Sequence, residues 1–374
     1  MSLLTRVIQA PGNRIRNLLD RHFTHAELVE GKLKESDQSI RLLYAGDARF
    51  RAYFYDLIFD GAPIVFRRER ISFKHLRESV ARQDFDLSVA LLPHRNEPAL
   101  RGVYSYRGTQ SVRQIVDISG SWDEIVRRFS NRNVRTPRRI RQFGLEYRVS
   151  NDAADLDTFY HKMYLPHVRK FGAGVVVDSY ADMKSWFSQG FLVLVIESGK
   201  PIVGGLCHPE GETLVFQKIG VLDGDLDQLP KGAQSAAYYF VLQHAKDRGF
   251  KRVSFMYSPA FLKDGIFSHK AGWGAVASRY EKATSSLLYF LPSDNPKAIF
   301  FLSRNPVIVA GDDGTLDAVT GYGGSPEDLA AATDEMLRSQ PLAGVRRLIV
   351  HSASGVQIVD KLQKHKALAA DERR

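Results

Sequence analysis

The chain has 374 residues, 44% hydrophobic and 25% charged, which excludes a disordered or fibrous protein and leaves room for two domains of ordinary size. Fifty-two Lys and Arg against 42 Asp and Glu give a net charge of +10, a field that attracts phosphate on a nucleotide, a nucleic acid or a lipid head group. The single cysteine, Cys207, excludes an internal disulfide and fits a reducing compartment.

Residues 1–39 read as an N-terminal amphipathic helical segment, with Leu3, Leu4, Val7, Ile8, Ile15, Leu18 and Leu19 as its apolar set and Pro11-Gly12 dividing it. Arginines interrupt the stretch where a secretory signal needs an unbroken apolar core, so the expected location is cytoplasmic. A basic amphipathic segment also admits peripheral contact with the inner membrane. No run approaches the roughly 20 apolar residues that span a bilayer.

Residues 40–115 form an N-terminal α/β region with strand-like runs at 41–44, 52–59, 63–66 and 87–92 around a helical stretch at 73–83. The next domain, 116–297, follows strand-like Ser111–Ile118 and opens on Ser121-Trp-Asp-Glu124, whose serine and glutamate can cap a helix reciprocally. That helix enters Arg127–Arg148, where eight arginines face one glutamate. Pro137 opens a second helical piece, which stops near Gly144.

Two helices at 156–171 and 180–189 precede a three-stranded meander at 191–197, 201–208 and 213–221, turned by Ser198-Gly199 and Glu210-Gly211. The polar loop GVLDGDLDQLPKG leads to a helix at 233–248, which Gly249 ends before a strand at 252–257. Residues 298–374 form a C-terminal α/β extension: strands 307–310 and 316–320, a helix at 326–339 and a strand at 345–351. A turn at Asp312-Asp313-Gly314 joins the first two strands. No fixed-period repeat is present.

Three stretches carry a resemblance. IVDISGSWDEIVRRFSNRNVRTPRRIRQFGLEYRV, the meander, and GFKRVSFMYSPAFLKDGIFSHKAGWGA resemble the Fem-like branch of the GNAT acyltransferase superfamily, which includes peptidoglycan aminoacyltransferases and cellulose-biosynthesis-type acetyltransferases. They cover about half the chain, from Gln110 to Phe290. The resemblance implies a mixed α/β, GNAT-like fold with a largely antiparallel central sheet flanked by helices, and residues 40–115 as a reduced first half of a tandem. It implies transfer of an acyl group to an amine of a cell-envelope or polysaccharide-related acceptor, with acyl-CoA as donor. Two alternatives stay open: aminoacyl transfer from charged tRNA, and a non-catalytic module binding nucleic acid or an anionic membrane. No metal is called for.

In such a fold the donor's phosphates sit on amides at a helix N-terminus. Here that position is Lys231, Gly232, Ala233 and Gln234, with Arg138, Arg139 and Arg141 as basic partners; the usual basic-residue-G-x-G signature is absent from 229–235. Acyl transfer needs a proton acceptor, a donor for the carbonyl oxygen and an acid for the leaving group. The resemblance places Asp264 and Lys270 beside the donor, Tyr257 as a general acid after the strand, and His167 on the acceptor side. Asp264 and the arginines also have plainer readings: Lys263-Asp264-Gly265 as a surface turn, the arginines as a solvated helix face. His208 reads as a surface residue. Cys207 and His208, adjacent on a strand, point to opposite faces and cannot form a nucleophilic pair.

Overall fold

The computed structural model describes residues 22–170, 177–225, 232–280, 283–292, 295–311, 313–339 and 342–360. The chain divides into two compact units: unit 1 takes residues up to Gln110, Glu281–Gln340 and Val345 onward, and unit 2 takes Ser111–Tyr280 and Pro341–Gly344.

In chain order, unit 1 begins with β1 (Phe23–Lys32), β2 (Ser39–Ala45), α1 (Ala48–Ile58), β3 (Ile64–Ser72), α2 (Phe73–Arg82), β4 (Leu87–Pro93) and β5 (Tyr106–Gly108). Unit 2 follows with β6 (Ser111–Asp117), α3 (Trp122–Val126), α4 (Thr136–Gln142), β7 (Glu146–Ser150) and α5 (Ala153–Thr158). A π-helical segment, Phe159–Tyr164, joins α5 to α6 (Leu165–Arg169), and α7 (Tyr180–Phe187) comes next. β8 (Phe191–Glu197), β9 (Lys200–Glu210), β10 (Thr213–Val221), α8 (Ala233–Asp247), β11 (Arg252–Pro259), α9 (Gly265–Ala271) and β12 (Val276–Arg279) complete it. The chain then returns to unit 1 with β13 (Ser285–Phe290), α10 (Pro296–Arg304), β14 (Val307–Ala310), β15 (Leu316–Tyr322), α11 (Leu329–Ser339), β16 (Val345–Ser352) and β17 (Gly355–Asp360).

The mixed α/β expectation holds, with one mixed sheet per unit. Among the described residues, unit 2 has seven strands in the order β12-β6-β11-β10-β9-β8-β7, antiparallel except where β10 and β11 run parallel. Its meander strands are buried on both faces. Val193 and Val195 pack with Ala236, Ala237 and Val241 of α8, whereas Leu192 and Leu194 pack with Leu156, Phe159 and Met163 on the other side. Adjacent strand residues point to opposite faces, so an uninterrupted apolar run is the pattern of a strand covered twice. The predicted Ser121–Glu124 box is present and Pro137 stands in the first turn of α4; Ser179 and Asp182 form a second reciprocal box that the sequence reading did not name.

Among its described residues unit 1 holds ten strands in the order β17-β16-β15-β14-β5-β13-β4-β2-β1-β3. The region 40–115 and the extension 298–374, read as separate domains, therefore contribute to one sheet. β13 follows unit 2 in sequence yet lies between β4 and β5, while β6 follows unit 1 and lies between β11 and β12.

Several elements differ from the sequence reading; the helix opened by Ser121, expected to enter the arginine-rich stretch, ends at Val126. Residues 23–32 of the supposed helical segment form β1, a strand paired on both sides by β2 and β3. Ladder hydrogen bonds on both edges outweigh the helix propensity of Ala, Glu, Leu and Lys. The part of that segment before His22 lies outside the described residues. The run 52–59, read as a strand, belongs up to Ile58 to α1, where Asp47 caps the Arg49 and Phe50 amides and Phe50, Phe54 and Ile58 recur four apart on the buried face. The ring of Phe54 meets that of Phe301 edge-on at 5.7 Å.

Candidate functional site

β10 and β11 pair only at their starts, Thr213–Val215 against Arg252–Ser254. Beyond that, β10 continues along β9, and β11 resumes along β6 at Tyr257 after a bulge at Phe255-Met256, where Met256 takes φ +60°. Two parallel strands that part leave a wedge at their C-terminal ends.

The chain leaves β10 at that end through a short 3-10 turn, Leu222–Gly224, and the described residues resume at Gly232, the residue before α8. Gly232 has φ +80°, and a Cβ there would lie 3.1 Å from Cδ of Arg139, so glycine serves both the left-handed turn and the approach of the arginine. Among the described residues no side chain caps α8, whose first amides belong to Ala233, Gln234 and Ser235. Three of the predicted donor-binding residues and Arg139 thus meet. Arg138 and Arg141 are exposed on α4. Lys231 lies outside the described residues.

α9 occupies what the sequence suggests is a turn. Asp264 is its N-cap, accepting from the amides of Ile266 at 2.9 Å and Phe267 at 3.0 Å. The helix is anchored through Gln114 of β6, which donates to the Phe267 carbonyl at 3.1 Å and accepts from Ser258 at 2.6 Å. This places Lys270 on the buried side, 7% exposed, with Nζ donating to the Tyr257 carbonyl oxygen at 2.6 Å. Burial brings its pKa down to about 7, Lys218 adding to the fall and Asp264 opposing it.

Tyr257 itself is half-buried, its ring 4.3 Å from that of Tyr280, and burial raises its pKa. Its hydroxyl is therefore protonated at neutral pH, the form that donates a proton.

Lys218 lies on the part of β10 that has left β11. It pairs with Asp178 at 2.5 Å and lies 5.5 Å from the Trp186 ring centroid. Asp178 also accepts from the Tyr164 hydroxyl at 2.7 Å. Tyr164 ends the π-helical segment, which comes close to β10 because Gly220 has no Cβ; one there would sit 2.6 Å from the Tyr164 amide nitrogen. Sequence reasoning missed Lys218 and Asp178. A lysine inside the apolar strand Thr213–Val221 was the available signal; Asp178 carried none, because only tertiary packing brings it to the strand.

His167 lies on α6, which packs against β10 and the turn at 222–224. It is 5% exposed, and burial together with Lys170 holds its imidazole below the usual histidine range. His208, expected at the surface, is 9% exposed and lies 3.4 Å from Gln217 Oε1. Cys207 is buried and its thiol is driven upward by burial, which makes it inert as a nucleophile.

No protein-family model and no curated protein sequence matches the chain. Among solved structures it is similar to FemX, with TM-score 0.39 and 12% identity over 72% of this chain and 85% of that one. It is also similar to L-PGS from Bacillus licheniformis, with TM-score 0.35 and 10% identity over 74% and 88%. A third is a GCN5-related N-acetyltransferase from Anabaena variabilis, with TM-score 0.27 and 8% identity over 92% and 82%. Likenesses of this size leave function to the geometry of the site.

Proposed function

We propose that unit 2 is an acyltransferase that moves an acyl group from an activated donor to an amine. The observation that carries this reading is the wedge between β10 and β11, with the N-terminus of α8, capped by no described side chain, following its open end and the buried Lys270 amine held on β11.

Donor phosphates would take the amides of Ala233 and Gln234, where the helix dipole favours negative charge, with Arg139 beside Gly232. Strand backbone freed by the parting of β10 and β11 supplies groups for the carbonyl oxygen as it gains charge. Attack by the acceptor nitrogen on the carbonyl carbon forms the new bond to nitrogen and breaks the bond to the leaving sulfur or oxygen. The nitrogen sheds a proton and the leaving atom gains one.

A pKa of about 7 suits Lys270 to accept that proton, because a base works best when its pKa lies near the working pH. This role fits a buried amine better than a standing charge for a phosphate. Tyr257 would protonate the leaving group. His167, neutral and buried on α6, belongs to the acceptor side, and Asp264 acts by holding the helix that carries Lys270.

The donor is acyl-CoA in the leading reading. The arginine-rich surface around α4 also suits charged tRNA, whose phosphates would engage Arg138 and Arg141. A cell-envelope amine is the expected acceptor. Incubating the protein separately with acetyl-coenzyme A and with charged tRNA, each with amino-sugar acceptors, tests the proposal. Donor-specific turnover supports it. If neither donor is consumed or raises the melting temperature, while anionic vesicles or RNA do raise it, the non-catalytic binding module replaces it.

A further inference from the structure

In unit 1 the ladder between β5 and β14 consists of one residue pair, Val309 with Gly108. Past that pair the strands part, and a groove of about 920 Å³ opens between β14–β16 on one side and residues 94–107 on the other. Such a volume lies at the upper end of the range for small-molecule sites, roughly 300–1,000 Å³.

Three arginines line the groove, and two of them are each oriented by a carboxylate. Arg107 meets Glu97 through Nε at 2.9 Å, and Glu97 is held in turn by the Ser286 hydroxyl at 2.7 Å. Arg347 grips Asp317 through Nε and Nη2, at 3.1 and 2.5 Å, and Asp317 is 2% exposed. Neither pair uses the Nη nitrogens of Arg107 or Nη1 of Arg347. Both carboxylates are spent on their arginines and neighbouring hydroxyls. The exposed Arg101 adds a third cation at the rim. Tyr106, also in the lining, is fixed by a 2.5 Å hydrogen bond to His351 on β16. What the groove offers a ligand is oriented N–H donors, and guanidinium forks of this kind match the oxygens of phosphate and carboxylate.

We propose that this groove binds a small polar molecule bearing phosphate or carboxylate groups, gripped by Arg107 and Arg347, at a site separate from the wedge of unit 2. The site is independent of the transfer reaction proposed above and stands whether or not that reaction is found.

Calorimetric titration of the full chain with pyrophosphate, glucose 1-phosphate and citrate tests the proposal, in an Arg139→Ala background that weakens the α8 site. At least one probe binds with a Kd below about 1 mM. Binding by the phosphates and not citrate identifies phosphate as the group read, and the reverse identifies carboxylate. Arg107→Gln and Arg101→Ala each weaken the bound probe, Arg107→Gln by about tenfold or more, the weight of one charge-assisted contact. Arg347→Lys keeps a charge against Asp317 while removing the fork, so it preserves the melting temperature and still loses affinity. The proposal is overturned if no probe binds, or if affinity is the same in parent and variants.

Discussion

The Lys270 ammonium nitrogen lies 2.6 Å from the Tyr257 carbonyl oxygen, which ties the last turn of α9 to β11 beyond the point where β11 leaves β10. That bond holds a titratable amine in a buried site, and most of the testable consequences follow from it.

Lys270→Met removes the proposed proton acceptor while keeping most of the side-chain volume. The expected result is a fall in kcat of roughly 10²–10³ with little change in donor KM, since the group acts in the transition state. The parent's kcat rises with pH through about 7, and the variant loses that limb. Steady-state kinetics across pH decides this; a folded variant that turns over like the parent removes Lys270 from the mechanism.

The same lysine makes stability depend on pH. Its folded pKa, about 7, lies below the ordinary 10.5, so between these values the unfolded chain holds a proton that the folded chain lacks. Its contribution to stability therefore rises with pH across that window, by up to about 1.4 kcal/mol per unit, and is flat below it. Denaturant unfolding of parent and Lys270→Met from pH 6 to 10, read as a difference, should show this slope; a constant difference would mean that the amine titrates normally.

Lys218 lowers the Lys270 pKa through like-charge repulsion. Lys218→Met should move the rising limb of the rate profile to higher pH, in contrast to the loss of that limb in Lys270→Met. An unmoved limb would mean that the two amines do not sense each other.

Asp264→Ala removes the cap from two amides of α9 and should cost about 1 kcal/mol in chemical unfolding. Asp264→Ser and Asp264→Asn restore a cap and should recover both stability and activity. Recovery of stability without activity would give the carboxylate a role in the chemistry.

Among the three arginines, Arg139→Ala should weaken a phosphate-bearing donor most, because only Arg139 packs on Gly232. The triple change of Arg138, Arg139 and Arg141 should have an effect that shrinks as salt rises, since exposed charges are screened over about 8–10 Å at ordinary ionic strength. Donor affinity measured over a salt series, unchanged by the triple variant, would return α4 to a solvated face.

Local chemistry made much of unit 2 readable from the residues alone. The turns Ser198-Gly199 and Glu210-Gly211, the Ser121–Glu124 box and Gly249 after α8 act within a few residues of themselves, and the strands between them are apolar enough to be buried on both faces. Gly232 and its neighbours were identifiable as a helix start for the same reason.

What depended on contacts distant in sequence could not be read this way. β1 is a strand because β2 and β3 pair with both its edges. β13 completes the sheet of unit 1, and β6 that of unit 2, only because strand pairing ignores sequence distance. The chemistry of Lys270 shows the division most directly. Its segment could be singled out from the sequence, but the fall of its pKa to about 7 required Gln114 and Ser258 to anchor α9 so that the amine is buried, and Lys218 to stand near it. A pKa responds to desolvation and neighbouring charge, and both are set by the folded arrangement around the group.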